Sequence, residues 1–146
     1  MAILVSQYNE RVTTRLLEGA LTCCREAGCA EADLDVIWLP GAFEIGAAAE
    51  AAAVTGRYVA IVALGCVVRG ETAHFEFVAG EAARGCSEVA IRHGLPVAFG
   101  VLTTETMEQS LARAGGAAGN KGQEAAEAAL RTADALAQLR SLHAPV

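Results

Sequence analysis

Residues 58–74 read Tyr-Val-Ala-Ile-Val-Ala-Leu-Gly-Cys-Val-Val-Arg-Gly-Glu-Thr-Ala-His. Tyr58 to Val68 is an unbroken apolar stretch, rich in β-branched residues and stopped by Arg69. It is about half the roughly 20 residues a membrane span needs, so it reads as a strand buried on both faces. A glycine turn follows, and then the start of a helix carrying Phe75, Val78, Ala79, Ala82, Cys86 and Val89 at helical spacing. A buried strand, a glycine turn and a helix form the repeating unit of a parallel sheet.

The same unit recurs outward in both directions. Further strands are expected at Ala2–Val5, Leu34–Leu39 and Pro96–Leu102. A helix is expected from Asn9, read as its N-cap, to about Gly28. Another follows Pro40-Gly41 to about Thr55, and a short one follows Thr106, where Thr106-x-x-Gln109 fits a capping box. A last helix spans about Gln123 to Leu139. No linker, repeat or low-complexity tract interrupts the alternation. One α/β domain over residues 1–146 is the expectation: three αβα layers around a four-stranded parallel sheet.

Composition narrows the function classes. The chain has 146 residues, 53% hydrophobic and 19% charged, which is neither disordered nor large enough for two cores. Its 32 alanines make much of the apolar content small, so burial against partner subunits is anticipated. A net charge of −6 argues against nucleic-acid or anionic-membrane binding. Five cysteines without a C-x-x-C pair argue against structural disulfides and a zinc site, and no signal peptide is visible, so a cytoplasmic location is expected.

In parallel α/β sheets, ligands bind beyond the carboxyl ends of the strands, where loops feed helix N-termini. Most polar and aromatic residues that need explaining fall in those loops. Gly70 and the free N–H groups ahead of His74 suit an anion, and a histidine beside an anion can shuttle protons near neutral pH. The competing reading of His74 is a surface residue in a helix cap. Glu44, in Pro40-Gly41-Ala42-Phe43-Glu44, suits ligand hydroxyls or plain compensation of the helix dipole. Tyr8 suits stacking on a flat heterocycle, while Asn9 suits capping. Arg113 precedes four glycines and reads either as a phosphate ligand or as part of a loop or kinked helix. Phe99, inside a strand, reads as core.

Four segments in register resemble the 6,7-dimethyl-8-ribityllumazine synthase family: PGAFEI (40–45), GCVVRGETAHFEFV (65–78), FGVLTTETMEQ (99–109) and RAGGAAGNKG (113–122). The resemblance implies a flavodoxin-like fold and a transferase of riboflavin biosynthesis that works without a cofactor. Such an enzyme condenses 5-amino-6-(ribitylamino)uracil with 3,4-dihydroxy-2-butanone 4-phosphate. It implies stacking by Tyr8, and holding of the ring and ribityl chain by Ala42, Phe43 and Glu44. The backbone of Cys66, Val67 and Val68 would read the heterocycle edge. Glu71, Thr72 and Arg113 would bind phosphate, and His74 would transfer protons. Phe99 and Arg113 would come from an adjacent subunit. Asn9, Lys121 and Glu124 match supporting positions, with Glu124 able to orient His74.

The same resemblance implies a homopentamer with active sites between subunits, extending to a 60-subunit icosahedral shell, and a riboflavin synthase as a partner. The chain departs from the family at Tyr8, where phenylalanine or tryptophan is usual, at Gly46 (commonly proline) and at Ala117 (often lysine). An archaeal-type riboflavin synthase and a non-catalytic lumazine- or flavin-binding shell protein are the alternatives.

Overall fold

The computed structural model describes residues 1–143. Strands β1 (Ala2–Ser6), β2 (Asp35–Leu39), β3 (Ile61–Val68) and β4 (Val97–Thr104) form one parallel sheet in the order β2-β1-β3-β4. Helices α1 (Glu10–Glu26), α2 (Ile45–Val54), α3 (His74–His93), α4 (Met107–Ala112) and α5 (Lys121–Leu142) connect and cover it. The three-layer α/β architecture expected from the sequence is the one observed.

Alternation along each strand assigns its side chains to two cores. Ile3, Val5, Val62, Leu64 and Cys66 face α1 and α5, where they meet Val12, Leu16, Ala20, Ala125, Ala126 and Ala129. Ala2, Leu4, Ile61 and Ala63 face the other way, toward Ile45 and Ala49 of α2 and Ala82, Cys86 and Val89 of α3. Small residues bring the helices close. Gly46 of α2 lies against Gly85 of α3, so near that a Cβ at position 85 would fall 2.8 Å from the Gly46 Cα. The departure at Gly46 therefore sits at a helix-crossing contact.

Strand ends differ from the expected ones for a pairing reason. Tyr58, Val59 and Ala60 lie outside β3, because the register of β1 begins with Ala2 opposite Ile61. At the other end β4 runs on to Thr104, because β3 offers it partners through Val68. The glycine-rich segment after α4 is neither an open loop nor a kinked helix. It folds into a small antiparallel hairpin, β5 (Ala114–Gly116) and β6 (Gly119–Asn120), with positive φ at Gly115 and Gly119. Asn120 then caps α5: its Oδ1 accepts from Gly122 N at 2.9 Å and Gln123 N at 3.1 Å, while its Nδ2 donates to Arg15 O. This cap places the helix start at Lys121, earlier than periodicity suggests.

The described cysteines are all free thiols, with Cys24, Cys66 and Cys86 buried. Burial pushes the Cys24 and Cys86 thiols up to about 11. Only about one in a thousand of those thiols is ionised at pH 8. Brief treatment with iodoacetamide at that pH should label Cys29 and Cys23 first and spare the three buried residues until the protein is unfolded. Peptide mapping by mass spectrometry checks this, and early adducts on Cys86 would contradict the burial described.

Candidate active site

Parallel strands put all their carboxyl ends on one edge, and three loops there are tied together. After β1, Gln7 N donates to Leu39 O at 2.7 Å and Tyr8 N to Pro40 O at 3.1 Å, which seats the Tyr8 turn beside the loop after β2. Asn9 makes the link to β3. Its Nδ2 donates to Cys66 O at 2.8 Å, and its backbone is left-handed at φ 61. It stands at the N-cap of α1 yet makes no side-chain cap bond, which corrects the capping reading. The amide is committed to β3 instead.

Tyr8, Asn9, Ala42, Phe43, Glu44, Cys66, Val67, Val68, Glu71, Thr72 and His74 consequently share one end of the sheet. Ala42, Phe43 and Glu44 form a single 3-10 turn ahead of α2, with Ala42 buried beneath and the other two side chains exposed. Tyr8 is 73% exposed and Phe43 56%. Aromatic surface of that size beside a polar rim is what a flat heterocycle would cover. His74 is the first residue of α3 and exposed, with its N–H 3.5 Å from Thr72 Oγ1. The N-terminus of that helix faces the same end, with the Glu76 N–H turned back onto Ala73 O at 3.1 Å.

Beneath this surface runs a buried polar chain that sequence reading missed. The Cys66 thiol donates to Ser110 Oγ at 3.2 Å, Ser110 meets Thr104 Oγ1, and Thr104 donates on to Thr106 O at 3.0 Å. Burial raises the Cys66 thiol above its ordinary range, so it serves as a donor rather than a nucleophile. Thr106 Oγ1 also accepts from Gln109 N at 3.2 Å, as the expected capping box requires, but Gln109 Oε1 accepts from Glu105 N at 2.8 Å, one residue before the N-cap, so only half of that box forms. No periodicity signals the Cys66–Ser110 link, because it joins segments far apart in sequence.

Four expected site residues do not join the cluster within one chain. Phe99 pairs with Ala63 and lies five residues before the end of β4, about 17 Å back from the loop edge at strand rise. It is 37% exposed on an edge strand, which corrects its reading as core. Arg113 follows α4, whose hairpin packs on α1, so it belongs to the layer opposite α3. Its Nη1 donates to Gln109 O at 3.0 Å. Lys121 and Glu124 pair with each other at 3.8 Å on α5, in that same layer. The expectation that Glu124 orients His74 is not met inside a single chain.

A hollow of about 470 Å³ lined by Met1, Cys29, Asp35, Arg57 and Tyr58 lies at the other, amino-terminal end of the sheet. There Tyr58 Oη donates to Asp35 at 2.8 Å and Arg57 pairs with the same carboxylate, so its polar groups satisfy one another. The end with the α3 N-terminus and exposed aromatics is the better candidate.

Comparison with known proteins gives the family. The sequence model of the 6,7-dimethyl-8-ribityllumazine synthase family matches residues 1–137. The chain belongs to this family. It is 49% identical over 142 residues to the 6,7-dimethyl-8-ribityllumazine synthase of Edwardsiella ictaluri (strain 93-146), covering 97% of this chain and 91% of the relative. As a lumazine synthase family member it is a transferase with a flavodoxin-like fold, in agreement with the reading of its four motifs. Among the described residues no helix is long and apolar enough to cross a membrane.

Proposed function

We propose that the chain forms 6,7-dimethyl-8-ribityllumazine from 5-amino-6-(ribitylamino)uracil and 3,4-dihydroxy-2-butanone 4-phosphate, the penultimate step of riboflavin biosynthesis. An amine attacks the ketone and water leaves to give an imine, phosphate is eliminated, and the second amine closes the ring with loss of water. Both reactants are already reactive, so the protein has to supply position, anion binding and proton traffic. The observation that carries this reading is that Tyr8, Phe43, Glu44 and His74 all follow parallel strands at their shared carboxyl edge, in a chain of the lumazine synthase family.

In this reading Tyr8 stacks on the pyrimidine and Glu44 accepts from the ribityl hydroxyls, with Ala42 and Phe43 beside it. The backbone of Cys66–Val68 borders the ring. Glu71 and Thr72 lie in the turn that receives the phosphate, and His74 moves the protons. Asn9 holds the Tyr8 turn to that strand. Phe99, Arg113, Lys121 and Glu124 complete the site of a neighbouring subunit in a cytoplasmic homopentamer, which builds further into an icosahedral shell able to hold a riboflavin synthase. Support comes from Phe77 at 72% exposure, Trp38 at 40% on the edge strand β2, and Phe99 on the opposite edge. Such apolar surface at both edges suits contact between copies.

The test is lumazine absorbance and fluorescence from purified protein and both substrates against an enzyme-free blank. Arg113→Ala should raise the KM for the butanone phosphate roughly tenfold to a hundredfold, the scale of one charge-assisted pair. Co-expression of the Arg113→Ala and His74→Ala chains should recover part of the activity, because some sites then combine an intact arginine and an intact histidine. No recovery in mixed oligomers would show that each site is built from one chain.

A further inference from the structure

Arg69 is the first residue beyond β3 and opens the turn that leads through Glu71 and Thr72 to His74. Its guanidinium is held on three sides. Nε lies 3.0 Å from the Glu105 carboxylate, in the loop after β4. Nη1 donates to Glu76 in the first turn of α3, and the guanidinium carbon sits 4.4 Å from the Phe75 ring centroid. The Arg69 backbone N–H donates to Thr104 O at 2.8 Å. One side chain thus grips the two residues after His74 and the loop of the neighbouring strand.

The linkage continues beyond Glu105. Glu105 N donates to Gln109 Oε1 at 2.8 Å, and the Gln109 carbonyl accepts from Arg113 Nη1 at 3.0 Å. A connected run of polar contacts therefore joins the start of α3 to the Arg113 segment. The turn between them has little else to hold it: Gly70 has nothing near its Cβ direction, and Glu71, Thr72 and Ala73 are all exposed.

The Arg69 side chain is 37% exposed and its carboxylate partners more so, a setting in which ion pairs add little to stability. What a planar fork held by two carboxylates and a ring face does fix is direction. We infer that Arg69 is a positioning residue of the condensation site. It sets where α3 presents His74 and the phosphate-binding turn, and couples that placement to the segment carrying Arg113. This inference rests on the function proposed above.

The variants are Arg69→Gln, Arg69→Lys, Glu105→Gln and the Arg69→Gln/Glu105→Gln double, with Arg131→Gln as an ion-pair control on the exposed face of α5. With the unaltered enzyme active, Arg69→Gln should lower kcat/KM for the butanone phosphate about tenfold, through both kcat and KM. The KM for the pyrimidine and the melting temperature should stay unchanged. Lysine should not rescue, because an ammonium cannot bridge both carboxylates while stacking. Glu105→Gln should show the same split, and the double variant should lose no more than Arg69→Gln alone.

Hydrogen exchange reads the clamp without turnover: the amides of Arg69 and Glu76, which donate to Thr104 O and Ala73 O, should exchange about tenfold faster in Arg69→Gln. Unchanged exchange, or unaltered kinetics in an active enzyme, would overturn the inference. An equal loss toward both substrates with a lowered melting temperature would overturn it too, by showing a merely structural role. An unaltered enzyme no faster than the blank would overturn the proposed function instead, and the exchange result would then decide whether Arg69 holds the turn.

Discussion

Gly122→Ala should destabilise the protein by about 3 kcal/mol or more. A Cβ at position 122 would fall 1.9 Å from Leu16 O and 2.6 Å from its carbonyl carbon. Both obstacles are α1 backbone, so no side-chain rotation relieves the overlap, and α5 has to lift away from α1. Lifting it opens the core that Leu16 and Ala20 share with Ala125, Ala126 and Ala129. For a chain of 146 residues that corresponds to a melting temperature lower by roughly 10 °C, or to loss of soluble protein. Gly80→Ala is the matched comparison. It lies inside α3 with nothing within 4 Å of its Cβ direction, so alanine there should be neutral to stabilising, by up to about 1 kcal/mol. Thermal denaturation of the two variants side by side checks both, and a Gly122→Ala protein as stable as the parent would refute the close approach of α1 and α5.

His74→Ala should lower kcat about a hundredfold or more, the usual contribution of a positioned proton-transfer group. The rate cannot fall below that of the unaided condensation, so the measured loss is net of the enzyme-free blank. Because His74 is exposed at the start of α3 and buries nothing, the melting temperature should hardly move. Added imidazole should restore part of the rate, since the substitution leaves room where the ring stood. Full activity in a correctly folded His74→Ala protein would remove the histidine from the chemistry and leave position and anion binding as the whole of catalysis.

Much of the candidate site is legible in the sequence because its residues sit in short continuous motifs at strand ends. Glu44 follows its strand within a few residues, and His74 likewise, so strand position alone places both at the carboxyl edge. Asn9 reads wrongly as a cap, since an asparagine before a helix ordinarily serves there. Only the left-handed backbone at 61° turns its amide toward Cys66. Phe99 reads wrongly as core because a phenylalanine in a strand is core unless the strand lies at an edge, and strand order is invisible in periodicity. Arg69 looks like a bare stop to an apolar run, because Glu76 reaches it only once the turn into α3 has folded and Glu105 only once β3 and β4 are aligned.

Hydrophobic periodicity and turn chemistry by themselves determined the αβα class, the strand and helix order, and the edge that carries the candidate site. These are local properties, set within windows shorter than one strand–helix unit. The four motifs, also local, determined the family. Tertiary structure alone decided the order β2-β1-β3-β4, the exposure of Phe99, the tether from Asn9 to Cys66 and the contacts of Arg69. It also placed Arg113, Lys121 and Glu124 on the far side of the sheet from His74. Each of those depends on which distant segments pack together, and residue spacing along the chain carries no record of that until the sheet has formed.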